Sequence, residues 1–261
     1  QALGMMLDPA DCGPAFIGLA QDTQERALDY PEAFFEPRMW KIPRPRPDRD
    51  AVAGAAALLA TAKKPLIISG GGVRYSLAED ALADFAARRG IPVVETIAGK
   101  GALTHDHPVH AGPIGIVGST SANALAAEAD VILAIGTRLQ DFTTGSWTAF
   151  SPDARFISVN AARFDAIKHR ALSVVGDARE TIAELDAALG DWRADAGLMT
   201  HAKALFAAWN ALLDEHQKPT NAPVPSYAQV IGVMNRVARP NDTLIGAAGG
   251  TTLAMAVVRD S

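Results

Sequence analysis

The sequence predicts an α/β fold: a doubly wound parallel sheet with partial α/β segments flanking it. Three observations carry this prediction. Short runs rich in Ile and Val recur between residues 65 and 177, apolar at consecutive rather than alternating positions, which marks strands buried on both faces. Alanine- and leucine-rich stretches of helical length separate them, and strand–helix alternation implies parallel strands joined by right-handed crossovers. Glycine-rich turns follow the first three of those strands, where an open α/β sheet places its crevice.

Taken in order, residues 15–20 (AFIGLA) after Gly13-Pro14 form an apolar run that reads as a short buried strand. Residues 30–50 hold prolines at 31, 37, 43, 45 and 47 among basic side chains. Neither helix nor central strand persists there, so the stretch reads as a linker lying extended over a surface. The regular alternation follows, with a helix over 51–62, a strand over 65–72, a helix over 76–90 and a strand over 91–96. Ser76 and Glu79 form a capping-box pattern at the start of the second helix, and Gly90 supplies its stop. A helix over 119–129, strands over 130–137, 155–160 and 172–177, and a helix over 178–189 complete the unit. Beyond Gly190 the chain is helical and polar, then proline-bearing through 214–225. Ser226 with Gln229 opens another helix, followed by an Asn-Asp turn and a strand over 243–247. The organisation is thus a trailing domain edge (1–25), a Pro-rich linker (26–50), a complete α/β domain (51–190), a helical and Pro-containing linker (191–225) and the start of another α/β unit (226–261).

Composition narrows the function classes. With 49% apolar and 20% charged residues the 261-residue chain has globular composition. The 24 Lys and Arg against 29 Asp and Glu leave a net charge of −5 with no long basic run, which disfavours nucleic acid as a partner. Cys12, the single cysteine, has no partner for a disulfide or a thiolate metal site, as expected in a reducing cytoplasm. No apolar run reaches the ~18 residues of a membrane span, and the first residues lack a secretory pattern. The expectation is a cytoplasmic protein with no membrane partner. Because the chain begins with Gln and its flanks read as edges of neighbouring domains, it is expected to be a piece of a longer polypeptide.

Chemistry-bearing residues gather at the strand ends. Gly70, Gly71 and Gly72 follow one strand, Gly99, Lys100 and Gly101 the next, and Gly136, Thr137 and Arg138 a third. Glycines there let backbone N–H groups approach a phosphate, and Arg74, Lys100 and Arg138 are cations of the right type to pair with it. Asp141, Asn160 and Asp177 complete the set for a nucleotide-type or vestigial site. Neither G-x-G-x-x-G nor a P-loop is present, so simple structural turns account for the glycines equally well. Asp177, three residues before Glu180, reads as a helix N-cap before it reads as a ligand group. His105, His107 and His110 form H-x-H-x-x-H on a Pro- and Gly-containing loop, and no metal site is expected from them. No G-x-S-x-G elbow, H-E-x-x-H motif or assembled triad occurs. From the residues alone, function reaches "soluble α/β domain, with or without a bound nucleotide".

As a set, the segments KKPLIISGGGVRYS (63–76), GIPVVETIAGKGAL (90–103), the stretch 107–146 and SVNAARFDAIKHRALSVVGDA (158–178) resemble the central domain of thiamine-diphosphate-dependent enzymes related to acetolactate synthase. Residues 13–24 resemble the last strand of that family's pyrimidine-binding domain, and the chain from Ser226 resembles the start of its diphosphate-binding domain. YPEAFF (30–35), GGGVRYS (70–76), DFTTGS (141–146), NAARFDAIKHRAL (160–172) and AAGG (247–250) resemble most the branch acting on an inositol-derived cyclic dione. The resemblance implies that the intact enzyme opens the dione ring to a deoxy-uronic acid, using thiamine diphosphate as electron sink with Mg2+, and assembles as a dimer or tetramer. A carboligase or decarboxylase built on the same three domains, and a non-enzymatic nucleotide-binding or scaffold domain, are the alternatives. The family's cofactor-activating glutamate belongs to the pyrimidine domain and its GDG…Asn motif to the diphosphate domain. Gly176-Asp177 is followed by Ala and Gly190-Asp191 by Trp, so this chain alone is expected to have no catalytic residues, to hold neither cofactor nor metal and to be inactive. Flavin-holding relatives carry F-D-D-R-x-T-G where this chain has Leu139-Gln140-Asp141-Phe142-Thr143-Thr144-Gly145, so flavin is not expected either.

Overall fold

In the computed structural model, which describes residues 1–239 together with 242, 245 and 249, a six-stranded parallel sheet forms the centre, with strand order β3-β2-β1-β4-β5-β6. The strands are β1 (Pro65–Ser69), β2 (Val93–Glu95), β3 (His110–Pro113), β4 (Val131–Ile135), β5 (Arg155–Asn160) and β6 (Leu172–Val175). The helices are α1 (Ala2–Met6), α2 (Gln21–Gln24), α3 (Arg49–Ala60), α4 (Gly71–Tyr75), α5 (Glu79–Arg89), α6 (Thr120–Glu128), α7 (Asp141–Thr144), α8 (Arg163–Ala166), α9 (Ala178–Ala188), α10 (Ala196–His216) and α11 (Tyr227–Val237). The order reverses between β1 and β4, the doubly wound arrangement that the apolar runs predict.

Strand side chains alternate between two cores. Ile67, Val93, Val131, Leu133, Ile135, Ile157 and Val159 pack with Val52, Leu59, Leu82, Phe85, Ile182 and Leu185 of α3, α5 and α9. Leu66, Ile68, Val94, Ile132, Ala134 and Phe156 face the other way, onto Ala122, Leu125 and Ala126 of α6 and Ala202 of α10. Both strand faces are therefore covered by apolar helix surface, and a run such as PLIIS is buried at every position.

Three expectations change. The run over 15–20 is not a strand: Phe16, Ile17 and Leu19 are exposed, because no neighbouring strand among the described residues offers it a ladder of hydrogen bonds. Ser76 does not cap α5, which begins at Glu79 after Ala78. The glycines after β1 nucleate the short helix α4 instead, and Ser76 ends it, its hydroxyl accepting from Ala178 N–H at 3.3 Å. Finally, β3 occupies a stretch read as loop. His-Ala-Gly-Pro has little intrinsic strand preference, and it pairs only as an edge strand with a register shift against β2. The expected strand over 243–247 lies outside the described residues.

Other expectations hold. Gly90 stops α5 in the left-handed region at φ 67°, and Ser226 and Gln229 cap α11 reciprocally. The stretch 30–50 is only partly as expected: Glu32–Phe35 form one 3-10 turn and α3 begins at Arg49, with residues 36–47 between them free of regular structure. The helix in the segment after Gly190, α10, packs on α6 and β3.

Arg89, in the last turn of α5, is almost fully buried. Its Nε donates to Asp186 Oδ1 at 2.7 Å, Nη1 to the Gly190 and Trp192 carbonyls at 2.6 and 2.8 Å, and Nη2 to the Asp186 carbonyl at 2.6 Å. One guanidinium thereby closes the carboxyl end of α9 and the turn after it onto α5, while Arg88 pairs with the same carboxylate. Arg89→Ala leaves Asp186 and three carbonyls without this donor, and we expect a loss of about 3–5 kcal/mol, read as a lower urea midpoint with unchanged slope.

Candidate functional site

The carboxyl ends of β1, β4, β5 and β6 enclose a cavity of about 270 Å³, at the switch point where the sheet reverses direction. Of the residues singled out from sequence, Gly71, Gly72, Gly136, Arg138 and Asn160 line it, joined by Tyr75, Ser76 and Asp165 and, from the amino-terminal segment, Cys12. Gly70, Arg74, Gly99, Lys100, Thr137, Asp141 and Asp177 are not part of its wall.

Glycine is required here by backbone contact. A Cβ on Gly70 would overlap the Gly136 carbonyl oxygen and Thr137, one on Gly72 would lie 2.6 Å from Gly136 Cα, and one on Gly99 would overlap the Ser69 carbonyl oxygen. Gly136 itself has φ +62°, a conformation only glycine adopts without strain. The turns after β1 and β4 thus meet backbone to backbone, and Gly72 N–H donates to the Gly136 carbonyl at 2.9 Å. An N–H of the kind a phosphate would use is spent on the fold. The helix that follows, α4, is only five residues long.

The polar residues are engaged in the same way. Asn160 Nδ2 donates to the Thr137 carbonyl at 2.8 Å, and Thr137 Oγ1 accepts from Leu139 N–H at 3.2 Å. Arg138 Nε lies 3.3 Å from Asp165 Oδ2, whose other oxygen takes Lys168 Nζ at 2.5 Å. Arg74 Nη1 donates to the Lys100 carbonyl at 3.1 Å, and Asp141 Oδ1 accepts from Ser146 Oγ at 2.7 Å. Burial and then the Cys12 thiol push the Tyr75 phenol above its ordinary pKa, so it stands at the cavity as a neutral hydroxyl.

Asp177 proves to be a junction. Its Oδ1 accepts from the Arg179 and Glu180 N–H groups at 3.0 and 3.3 Å, capping α9. Its Oδ2 accepts from Arg44 Nη1 at 2.9 Å, and its N–H donates to the Pro45 carbonyl at 2.8 Å. Arg46 adds pairs with Glu180 and Glu184 at 3.4 and 3.7 Å. The Pro- and Arg-rich stretch is thereby pinned to the amino end of α9.

The histidines do not assemble as a set. His110 lies on β3, its ring 5.7 Å from that of His105, and both pack on Phe206 of α10. His110 Nε2 is 3.5 Å from Glu95 Oε1 with both side chains buried, and Glu95 Oε2 accepts from Gly101 N–H at 3.1 Å. Among the described residues no group of three or more His, Cys, Asp or Glu side chains is arranged to hold a metal ion. This Glu95–His110 pair was not singled out from sequence; its trace there is one acidic residue ending the otherwise apolar strand IPVVE.

Residues 52–185 match the family model described as thiamine pyrophosphate enzyme, central domain. The chain belongs to the thiamine pyrophosphate enzyme family. Its central domain is the doubly wound sheet described above, with the match running from α3 into α9. Over 95% of its length the chain is 38% identical to a 3D-(3,5/4)-trihydroxycyclohexane-1,2-dione hydrolase of Geobacillus thermodenitrificans, covering 42% of that protein. It is 44% identical to proteins of the same name from Clostridium perfringens, over 72% of this chain and 30% of that protein, and from Listeria monocytogenes, over 71% and 29%. The chain therefore spans less than half the length of these curated relatives. No helix among the described residues is long and apolar enough to cross a membrane.

Two tests follow from this geometry. Gly136→Ala combines a left-handed residue with a backbone overlap and is expected to cost about 2–5 kcal/mol. Gly190→Ala, at φ +52° with nothing within 4 Å, should cost only the conformational part, about 1–2 kcal/mol. Parallel urea titrations compare them. For the strap, Arg44→Ala should speed proteolytic cleavage within residues 36–43 while leaving the core's far-ultraviolet spectrum unchanged.

Proposed function

We propose that this central domain belongs to an enzyme that uses thiamine diphosphate and Mg2+ to hydrolyse a C–C bond of trihydroxycyclohexane-1,2-dione, opening the ring to 5-deoxy-glucuronate in inositol breakdown. The observation that carries this reading is the likeness to hydrolases of that name over nearly the whole chain, linker included. It favours the hydrolase over a carboligase, a decarboxylase or a non-enzymatic domain. A cytoplasmic enzyme that assembles as a dimer or tetramer is part of the same proposal.

Within that enzyme the chain's own residues act as scaffold. The donor set does not fit the diphosphate and its metal: GDG is absent from the sequence, and the described residues offer no metal-ligand group. Cofactor and metal are assigned to domains outside this chain, and no chemical step is placed on its residues. The switch-point crevice is read as a structural remnant of a nucleotide site, because Gly72 N–H, Asn160, Arg138 and Asp177 already have partners within the fold. What the domain contributes is a rigid sheet and, through Arg44 and Asp177, a fixed exit direction for residues 36–43.

Sequencing the gene on both sides of the Gln1 and Ser261 codons, then assaying the encoded protein on the cyclic dione, tests the proposal. An open frame supplying a glutamate-bearing domain upstream and GDG…Asn downstream, with acid release dependent on thiamine diphosphate and Mg2+, is the expected result. The 261-residue chain alone should give no turnover and no calorimetric heat with thiamine diphosphate. Start and stop codons near these termini, or tight cofactor binding by the chain alone, would overturn it.

A further inference from the structure

At the opposite end of the sheet, a groove of about 820 Å³ opens where β5 and β6 begin. Its surface is aromatic: Trp147, Phe150 and Phe156 form a cluster with ring centroids 5.1–5.6 Å apart, and the His169 ring lies 4.1 Å from that of Trp147. Trp147 keeps 36% of its surface exposed, so one part of the indole is free to be covered. Two guanidiniums, Arg155 and Arg170, line the groove against one carboxylate, Asp153. Arg155 donates to Thr61 Oγ1 at 2.8 Å, and Arg170 makes no ion pair or side-chain hydrogen bond among the described residues.

The backbone here is held in an unfavourable state. Trp147, His169 and Arg170 have φ of 66°, 62° and 56°, and Ser146 beside them 53°. None is glycine, and residues held in this region persist only where the surrounding structure over-determines them. Strain of this kind collects where side chains are aimed at a ligand, and here it turns the indole, the imidazole and the Arg170 guanidinium toward one groove. Burial and then the Lys168 charge lower the His169 pKa, so at neutral pH the imidazole lies tilted against Trp147 uncharged and the groove's positive charge rests on the arginines.

We propose that this groove binds a planar aromatic ring carrying a single carboxylate or phosphate, the ring lying on Trp147 and the anion held by Arg170 with Arg155 behind it. An exposed indole offers a stacking face, a guanidinium matches a carboxylate or phosphate with two parallel hydrogen bonds, and the net positive lining selects an anion over a cation. Neither the ring surface nor the cations involve the switch-point crevice, so the inference stands independently of the proposed hydrolase reaction.

Calorimetric titration of the 261-residue protein with 1-naphthoate, phenyl phosphate and adenosine monophosphate tests it. The expected result is saturable one-to-one binding of at least one probe, weakened tenfold or more by Arg170→Ser and by Trp147→Leu and unchanged by Arg236→Ser on the exposed side of α11. Tightest binding of naphthoate would identify an aromatic acid as the natural source, and tightest binding of the nucleotide a base-bearing phosphate. Arg170 is exposed, so its replacement leaves the fold intact and keeps the test decisive even if Trp147→Leu unfolds. Absence of saturable binding at millimolar probe, or binding that Arg170→Ser leaves unaltered, would overturn the proposal.

Discussion

The structure depends on a contact between two turns that meet at glycines. The backbone after β1 and the backbone after β4 touch at Gly70, Gly72 and Gly136, with Gly99 pressed against the Ser69 carbonyl. This is where the strand order reverses, so the two halves of the sheet are joined by β1–β4 pairing and locked by turns that admit no Cβ. A side chain at any of these positions would push the first turn from the second and disturb the crevice floor. The closeness that makes glycine obligatory also spends the Gly72 N–H on the Gly136 carbonyl. Glycine-rich turns at strand ends therefore have two physical uses, approach of a phosphate or approach of another turn, and here the second accounts for the packing.

Around that centre, the periphery is fixed by a few long-range charge-assisted contacts. Arg89 ties α5 to the end of α9, and Asp177 ties the start of α9 to the proline-bearing stretch through Arg44. Both carboxylates serve several donors at once, which is what makes buried charge tolerable. Arg89 and Asp177 are nearly inaccessible to solvent, while the cations of the outer strap, such as Arg46, remain exposed. The strap thus has a stiff root and a loose outer edge, a suitable joint between a rigid domain and a chain that runs away from it.

The two ends of the sheet differ in character. The carboxyl end carries glycine contacts and side chains such as Asn160, Arg138 and Asp177 that already have partners within the fold. At the amino end sit an aromatic surface, two adjacent pairs of residues with positive φ (Ser146 and Trp147, His169 and Arg170) and, in Arg170, a guanidinium with no ion pair among the described residues. Fold rules direct attention to the first end, and the chemistry with unmet capacity lies at the second.

Much of this was legible in the sequence. Consecutive apolar residues disclosed the buried parallel strands, and Gly90, Asp177 and Ser226 marked helix ends, because such signals are local: burial on both faces, a left-handed stop and a side chain reaching its own helix N–H groups need only neighbours in the chain. What was not legible depends on distant residues. Residues 15–20 have strand composition and no strand beside them, whereas His110–Pro113 has poor strand composition and a β2 edge that accepts it. Ser76 fits a capping box, yet its hydroxyl serves Ala178. Arg89 looks like any basic residue near a helix end until three carbonyls and Asp186 converge on it. The sequence by itself thus determined the architecture and the family, since periodicity and motif are properties of adjacent residues. Only the tertiary structure decided which glycines touch, which charges are spent and where an aromatic surface stays open, since those depend on hydrogen bonds and van der Waals contacts between segments up to 133 residues apart.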